Sequence, residues 1–575
     1  MNLNKILFGE NRLLKKQIPI KKINLYIIGI CIINIVQAVL TPITNDEAYY
    51  WVFSKNLDLG YFDHPPMVAY IIKLSSYLFS NTLLGVRFIT IVLLGFTLKI
   101  IWKLIPEENK EHKYSELMFI LLVLAIPIFN IYGFITTPDA PFLFAAALFL
   151  LALERMSKKE SFTNILILGI ASALLIYSKY HGGIVIILAV FLKFKLLKKW
   201  GIYISGILAL LLILPHLNWQ YQNDFITFDY HLFQRTSGEF SFKNVIHYVL
   251  STVAILNPAL IIVFFYYLKK QKLFTDRNNF MTQIFIGFLA FFLIYSFRSK
   301  IEAHWVAFSA IPMVILIYNL MISHNYIRKQ MKLIGILSIV LIFSARLLIV
   351  LDLPLKTEFH IEKKDYFEAI FKKANGKNVV FVNSYQKAAK YSFYTGEASF
   401  SDNNAYYRKN QYDLLNAEAI FNDTPVLFIG NWPHKMFDSL KIGSNEIILH
   451  HKIDKYPIFN KLEASINNDN FKILNKKGRV DLTIKNPYDY MIDLEQKNLP
   501  YKFSFCLKKG NEIYFAPLKM DGTKQLKPGR NNMIAVGWEL KDKILNGPYK
   551  LQIVLQAGYL NPKVLSKKYD IEVKK

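Results

Sequence analysis

Ionisable side chains inside otherwise apolar surroundings are the first candidates for chemistry in this 575-residue chain. The stretch from Thr41 to Tyr70 reads TPITNDEAYYWVFSKNLDLGYFDHPPMVAY. Asp46 and Glu47 are adjacent carboxylates that repel each other, so a proton or a cation must hold one of them. A carboxylate at a membrane surface can accept the proton of an attacking hydroxyl. Asp46 can equally cap the short helix AYYWVFS. His64 precedes two prolines that fix an extended backbone and hold the loop rigid, and its imidazole is a proton-dependent donor. Tyr61 and Asp63 belong to the same loop and are candidates to face a substrate. Asp139, in TTPDAPFLF, opens an apolar run with Pro141 in its first turn, where a capping role and a site role are both open.

Cations supply the complementary half. SKYHGG (178–183) places Lys179 and His181 in a tight connection, where they can snorkel to headgroups or hold a lipid phosphate. FRSKIEAHW (297–305) gathers Arg298, Lys300, Glu302 and His304 in one turn. Arginine there suits bidentate contact with a phosphate, and Arg87 is a weaker candidate for the same task. The 217–244 segment mixes aromatics with Asp224, Asp229, His231 and Arg235, as a mobile flap or an interfacial aromatic belt would. The sequence carries neither a Gly-rich phosphate loop nor the ligand spacings of metal hydrolases. Nothing in it suggests nucleotide hydrolysis or a nucleotide-sugar donor.

The elements that must position these groups are membrane spans. Hydrophobic residues make up 53% of the chain and aromatics 15%, and mean hydropathy is +0.25. A wholly soluble enzyme would then expose more apolar surface than water tolerates. Apolar runs fill residues 23–351, and eleven approach the ~20 residues a span needs. They are 23–41, 84–104, 115–134, 139–155, 163–178, 182–197, 200–216, 245–268, 280–297, 303–322 and 331–351. Residues 66–80 read as a helix lying in the interface. The net charge of +27 sits largely in short basic connections, as lipid headgroups and topology selection require, and not as a nucleic-acid surface. Residues 1–22 are too polar and basic for a cleaved signal. Eleven crossings with a cytoplasmic N-terminus place the acidic and basic candidates, and residues 356–575, on the outer face. The two cysteines, Cys31 and Cys506, form no framework.

The polar third divides again. Residues 356–465 alternate strand-like runs (378–382, 425–429) with helical patterns (384–394, 411–421), which predicts an extracytoplasmic α/β domain. Residues 466–575 form short alternating strands separated by turns, a β-sandwich-like pattern. The expected whole is an α-helical polytopic membrane domain over 1–355 followed by these two domains.

DEAYYW (46–51), GYFDHPPMVAY (60–70) and TPDAP (137–141) together resemble glycosyltransferase family 39. That family includes bacterial relatives of protein O-mannosyltransferases and the aminoarabinose transferases of lipid A. The resemblance covers roughly residues 20–350. It implies a GT-C fold, a polyprenyl-phosphate-linked sugar as donor, and an outer-side acceptor that is a lipid, a glycan or a protein. It implies that Asp46 is the catalytic base, Glu47 its partner and Asp139 the second acidic position. His64, Lys179, His181, Arg298, Lys300 and Arg87 would then bind the donor phosphate, with Tyr61, Asp63, Glu302 and His304 near the substrate. A phosphate leaving group requires no metal, although a divalent ion is compatible with the chemistry. A lysine commonly precedes the Pro-Pro pair in aminoarabinose transferases, so His64 points away from lipid A and toward a less characterised bacterial branch. The competing function class is a transporter or lipid flippase, for which the paired repeats are missing. The location implied is the bacterial cytoplasmic membrane, without nucleic-acid partners.

Overall fold

The computed structural model describes residues 22–575 apart from 236–239, 271–275, 352–358, 360–361, 417, 433, 443–445, 469–470, 497–498, 511 and 523–524. The basic stretch 1–21 and part of the basic 269–277 connection therefore lie outside the described residues. The chain forms two compact units, Met1–His360 and Ile361–Lys575.

The first unit is helical. In order, α1 spans Lys22–Leu40, α2 Asn45–Lys55, α3 Met67–Phe79, α4 Leu83–Leu104, α5 Ser115–Leu124 and α6 Pro127–Ile131. Then follow α7 (Asp139–Lys158), α8 (Phe162–Ser178), α9 (His181–Leu192), α10 (Trp200–Gln222) and α11 (Ile226–Asp229). The last are α12 (Phe242–Leu256), α13 (Pro258–Lys270), α14 (Asp276–Ser296), α15 (Ala310–Ser323) and α16 (Asn325–Val350). Among the described residues, seven helical segments are long and apolar enough to cross a membrane, or eight if one bent pair counts as a span. The expected run 245–268 is that pair: it bends by 94° between Leu256 and Pro258. Asn257 sits there at φ +80°, and the following proline cannot donate to the preceding turn. The expected spans at 163–178, 182–197 and 115–134 are short apolar helices, the last split at Ala125 and Ile126. The eleven apolar runs thus appear as long, short and broken helices among the described residues, of which seven or eight reach full span length. Residues 67–79 do form the helix anticipated there.

A forked, buried ion pair ties together several elements at one end of this bundle. Arg87 on α4 donates to Glu47 from Nε (2.7 Å) and from one terminal nitrogen (2.6 Å). Its remaining N–H groups reach the carbonyls of Ala38, Thr41 and Pro42. All five donors of the guanidinium are thus used. Glu47 also accepts from the Thr44 and Thr136 backbones. Thr44, and not Asp46, caps α2: its hydroxyl accepts from the Glu47 backbone while Glu47 bonds back, a capping box. Both charged side chains are fully buried.

In the second unit, parallel strands at Ser399–Asp402, Asn378–Val382 and Val426–Gly430 are extended by antiparallel strands at Glu446–Ile453 and Asp438–Ile442. The expected helix 411–421 is only a three-residue turn at Gln411–Asp413 and a short helix at Glu418–Phe421. From residue 463 onward two antiparallel layers share the strand Glu512–Asp521. It pairs with Tyr501–Lys509 through its first half and with Arg530–Glu539 through its second. Trp538 of one layer packs 5.5 Å from Phe505 of the other, as in a sandwich core.

Removing one partner of the Glu47–Arg87 pair strands a buried charge, which costs about 3–5 kcal/mol. Arg87→Ala is expected to lower the thermal unfolding midpoint of the detergent-purified protein sharply. Arg87→Lys should rescue little, because lysine cannot make the forked contact.

Candidate functional site

The loop GYFDHPP is shaped by the segment that follows it by 150 residues. Trp219 Nε1 donates to Asp58 at 2.8 Å, and His216 Nδ1 donates to the Leu59 carbonyl at 2.7 Å. The Thr227 hydroxyl donates to the Tyr61 carbonyl at 3.0 Å, and His231 Nε2 donates to the Asp63 carbonyl at 2.9 Å. A Cβ on Gly60 would lie 2.3 Å from the Trp219 ring, so only glycine lets the indole seat against the loop. Of the expected 217–244 flap, the part before residue 236 is thus anchored at three points, Trp219, Thr227 and His231, and is not loose. Tyr61 is buried by this clamp and stacks on Phe53 at 4.2 Å, with its hydroxyl donating to the Phe53 carbonyl. It is a structural residue and does not face a substrate.

The remaining groups of the loop meet others from distant elements. His64 Nε2 lies 3.1 Å from the Tyr50 hydroxyl. Its ring centroid is 6.4 Å from that of His231. The charges acting on His64 are those of His231, Lys179, His304 and Arg235. Lys179 Nζ is 2.6 Å from Asp139 Oδ1, and both side chains are buried. Asp139 opens α7 without capping it; its carboxylate holds the ammonium instead. His304 lies within reach of both charges, and His181 packs 4.9 Å from Trp305. The Arg235 guanidinium stacks over Trp305 at 4.4 Å. The structure thus brings His64, Lys179, His181, His304 and Asp139 together as the sequence suggested. Beside them it sets His231 and Arg235, from the segment read as a flap or an aromatic belt.

Other candidates stand apart. Glu47 and Arg87 saturate each other and neighbouring backbone groups, so neither offers a vacant lone pair or donor to a substrate. Lys300 is exposed but pairs with Glu302 at 3.3 Å. Glu302 also lies 3.9 Å from Arg235. Arg298 is exposed at the end of α14. Asp63 is buried. Asp46 is exposed in the first turn of α2. Tyr50 lies four positions further along α2, so the two share a helix face. Among the described residues no three His, Cys, Asp or Glu side chains converge as metal ligands.

Three likenesses bear on this arrangement. Residues 63–219 match the family model described as dolichyl-phosphate-mannose-protein mannosyltransferase. A lipid A galacturonosyltransferase, RgtD, of Rhizobium johnstonii is 27% identical over 189 residues, 31% of this chain and 38% of that protein. The matched part thus spans well under two thirds of that relative. The crystal structure of ArnT from Cupriavidus metallidurans bound to undecaprenyl phosphate superposes with a TM-score of 0.52 at 10% identity. That match covers 74% of this chain and 97% of the other. The apo form of the same protein gives 0.51 at 11% over the same shares. Over the matched 74% of the chain the fold is therefore like that of the ArnT structure.

Burial, reinforced by the surrounding cations, pushes the His64 imidazole well below its usual value. The unfolded chain then binds more protons at this ring than the folded one does. Stability is full above the unfolded value near ~6.5 and is lost as pH falls toward the folded value. Unfolding midpoints measured from pH 7.5 down to about 5 should fall. His64→Gln should flatten that slope by up to one proton.

Proposed function

We propose that the chain is a membrane glycosyltransferase that moves a sugar from a polyprenyl-phosphate donor to a lipid-linked acceptor. The observation that carries this is the contrast among the carboxylates. Glu47 is locked by four N–H donors and Asp139 by an ammonium. Asp46 is exposed one turn before the Tyr50–His64 contact and a cluster of cations. Of these three, Asp46 is the exposed carboxylate that we take to meet an incoming hydroxyl.

In the reaction we infer, the acceptor oxygen attacks the anomeric carbon from the face opposite the phosphate, with inversion. Its proton passes to Asp46, and the bond from the anomeric carbon to the phosphate oxygen breaks. Arg235, His64 and Lys179 stabilise the charge that develops on the departing phosphate. Arg235 is suited to this because a stacked guanidinium keeps its donor edge for a bidentate contact. Asp139 acts through Lys179, keeping that amine cationic in a buried place. The chemistry requires no metal.

A relative named for lipid A supports a lipid acceptor over a glycan or protein one, although His64 stands where a lysine was expected for lipid A enzymes. The solved relative's bound undecaprenyl phosphate supports the donor class. The orientation that fits is a multi-pass protein of a bacterial cytoplasmic membrane, its N-terminus inside. The site and the α/β and β-sandwich domains (356–465 and 466–575) then lie outside.

The test is turnover of a labelled polyprenyl-phosphate sugar by purified protein with envelope lipid as acceptor. Asp46→Asn is expected to reduce transfer by about 10²–10⁴-fold, the usual worth of a positioned base, while the protein stays folded. Retained transfer by that variant removes Asp46 as base. Movement of donor across vesicles without its consumption favours a transporter.

A further inference from the structure

We infer that the end of α14 carries a site for an anionic phospholipid of the bilayer, with the lipid phosphate on Arg298 and its first methylenes on Phe291 and Ile294. Phe291, Ile294, Tyr295 and Arg298 recur at three- and four-residue spacing and so form one stripe on the helix. With Ser299 they line a laterally open groove of about 280 Å³. Its lower part is apolar surface: Phe291 is 40% and Ile294 71% exposed. Its upper part is a guanidinium and a hydroxyl. The stripe thus changes from apolar to cationic within one helix turn, as a phospholipid changes from chain to headgroup.

Charge decides the kind of lipid. Lys300, two residues further on, is compensated by Glu302. Arg298 makes no side-chain ion pair or hydrogen bond among the described residues. An exposed guanidinium above an apolar surface favours a phosphate, which it can engage through two donors.

Two observations separate this site from the donor phosphate. Arg235 is the guanidinium among the charges that act on His64, Lys179 and His304, whereas Arg298 is exposed two residues beyond the end of α14. The groove holds roughly nine times the ~30 Å³ of a water molecule, room for a headgroup and the start of a chain whose remainder lies in the bilayer. The occupant argued for is bilayer lipid, because the exposed Arg298 stands outside the cations around His64.

The site is nevertheless joined to the cluster. The Tyr295 hydroxyl donates to the His231 carbonyl, and the Ser299 hydroxyl to the Arg235 carbonyl, each at 3.4 Å. Tyr295 also lies 6.3 Å, ring to ring, from Trp305, on which Arg235 stacks. A lipid held here presses on the wall that carries His231 and Arg235. It is a positioning contact for those residues, not part of the reacting set.

The experiment uses full-length protein in vesicles of phosphatidylcholine containing pyrene-labelled phosphatidylglycerol or pyrene-labelled phosphatidylcholine, read by tryptophan-to-pyrene transfer. Wild type should prefer the anionic probe by about fivefold, the effect of one basic residue at an anionic surface. R298A should remove most of that preference, with an unchanged unfolding midpoint as the check on its fold. R298K keeps the charge without the fork, should retain part of the preference, and stands in if R298A does not fold. Equal preference in wild type and R298A, or none in wild type, overturns the inference. So does an R298A protein with intact preference and a raised KM for the polyprenyl-phosphate sugar, because Arg298 would then belong to the donor. The binding measurement needs no turnover, so its failure is distinct from failure of the proposed transferase reaction.

Discussion

The forked pair between Glu47 and Arg87 is the constraint on which the site end of the helical unit depends. A buried ion pair is costly to desolvate and repays that cost only when its remaining donors and acceptors are satisfied. Here the neighbouring backbone satisfies them. Arg87 takes the carbonyls that end α1 and lead into α2, while Glu47 takes the amides of Thr44 and Thr136. One pair thus fastens the end of α1, the start of α2, the body of α4 and the approach to α7. Because α2 is fixed at its first turn, Asp46 and Tyr50 are carried to defined positions without being part of the fastening.

The second constraint is the clamp from α10 and the residues after it onto the strand-like loop 58–63. Its hydrogen bonds go mostly to loop carbonyls, so they set the path of the backbone and leave the His64 ring to Tyr50. His216 shows how the tautomers are settled. Its Nδ1 must donate to a carbonyl, so its Nε2, 3.0 Å from the Tyr180 hydroxyl, is left to accept. Tyr180 in turn accepts from Gln220 at 2.9 Å. The aromatic and amide side chains of the clamp are therefore a connected support beneath the cations.

Much of this was legible in the chain, and the failures have local causes. The spans, the short helix after Pro66, the parallel strands and the alternating strands follow from hydrophobic period, a property of neighbouring residues. The role of Glu47 was also written locally: Thr44-Asn-Asp-Glu47 is a capping-box pattern, and it separates the two adjacent carboxylates into a structural and an exposed one. Arg87 and Tyr61 were misplaced because their partners are 40 residues away in one case and folded back across a turn in the other. Composition records only that they are polar near a helix end. The bend at Asn257 had a sequence mark in Asn-Pro inside an apolar run, but span counting averages over such marks. His231 and Arg235 were read only as part of a flap or aromatic belt, since the loop they meet is far away in the chain.

The charges on the site face follow from one rule about burial. Two buried carboxylates are each compensated by a cation, Glu47 by Arg87 and Asp139 by Lys179, both at 2.6 Å, while the buried Arg346 donates to the side-chain oxygens of Gln37 and Asn34. The second unit obeys it too, with Lys563 on Asp402 at 2.5 Å between its α/β part and its strands. Low dielectric enforces this, because an unpaired buried ion would neutralise or unfold the site. Asp46 and Arg298 are both exposed at helix ends, and the compensated pairs make the rigid frame that carries them.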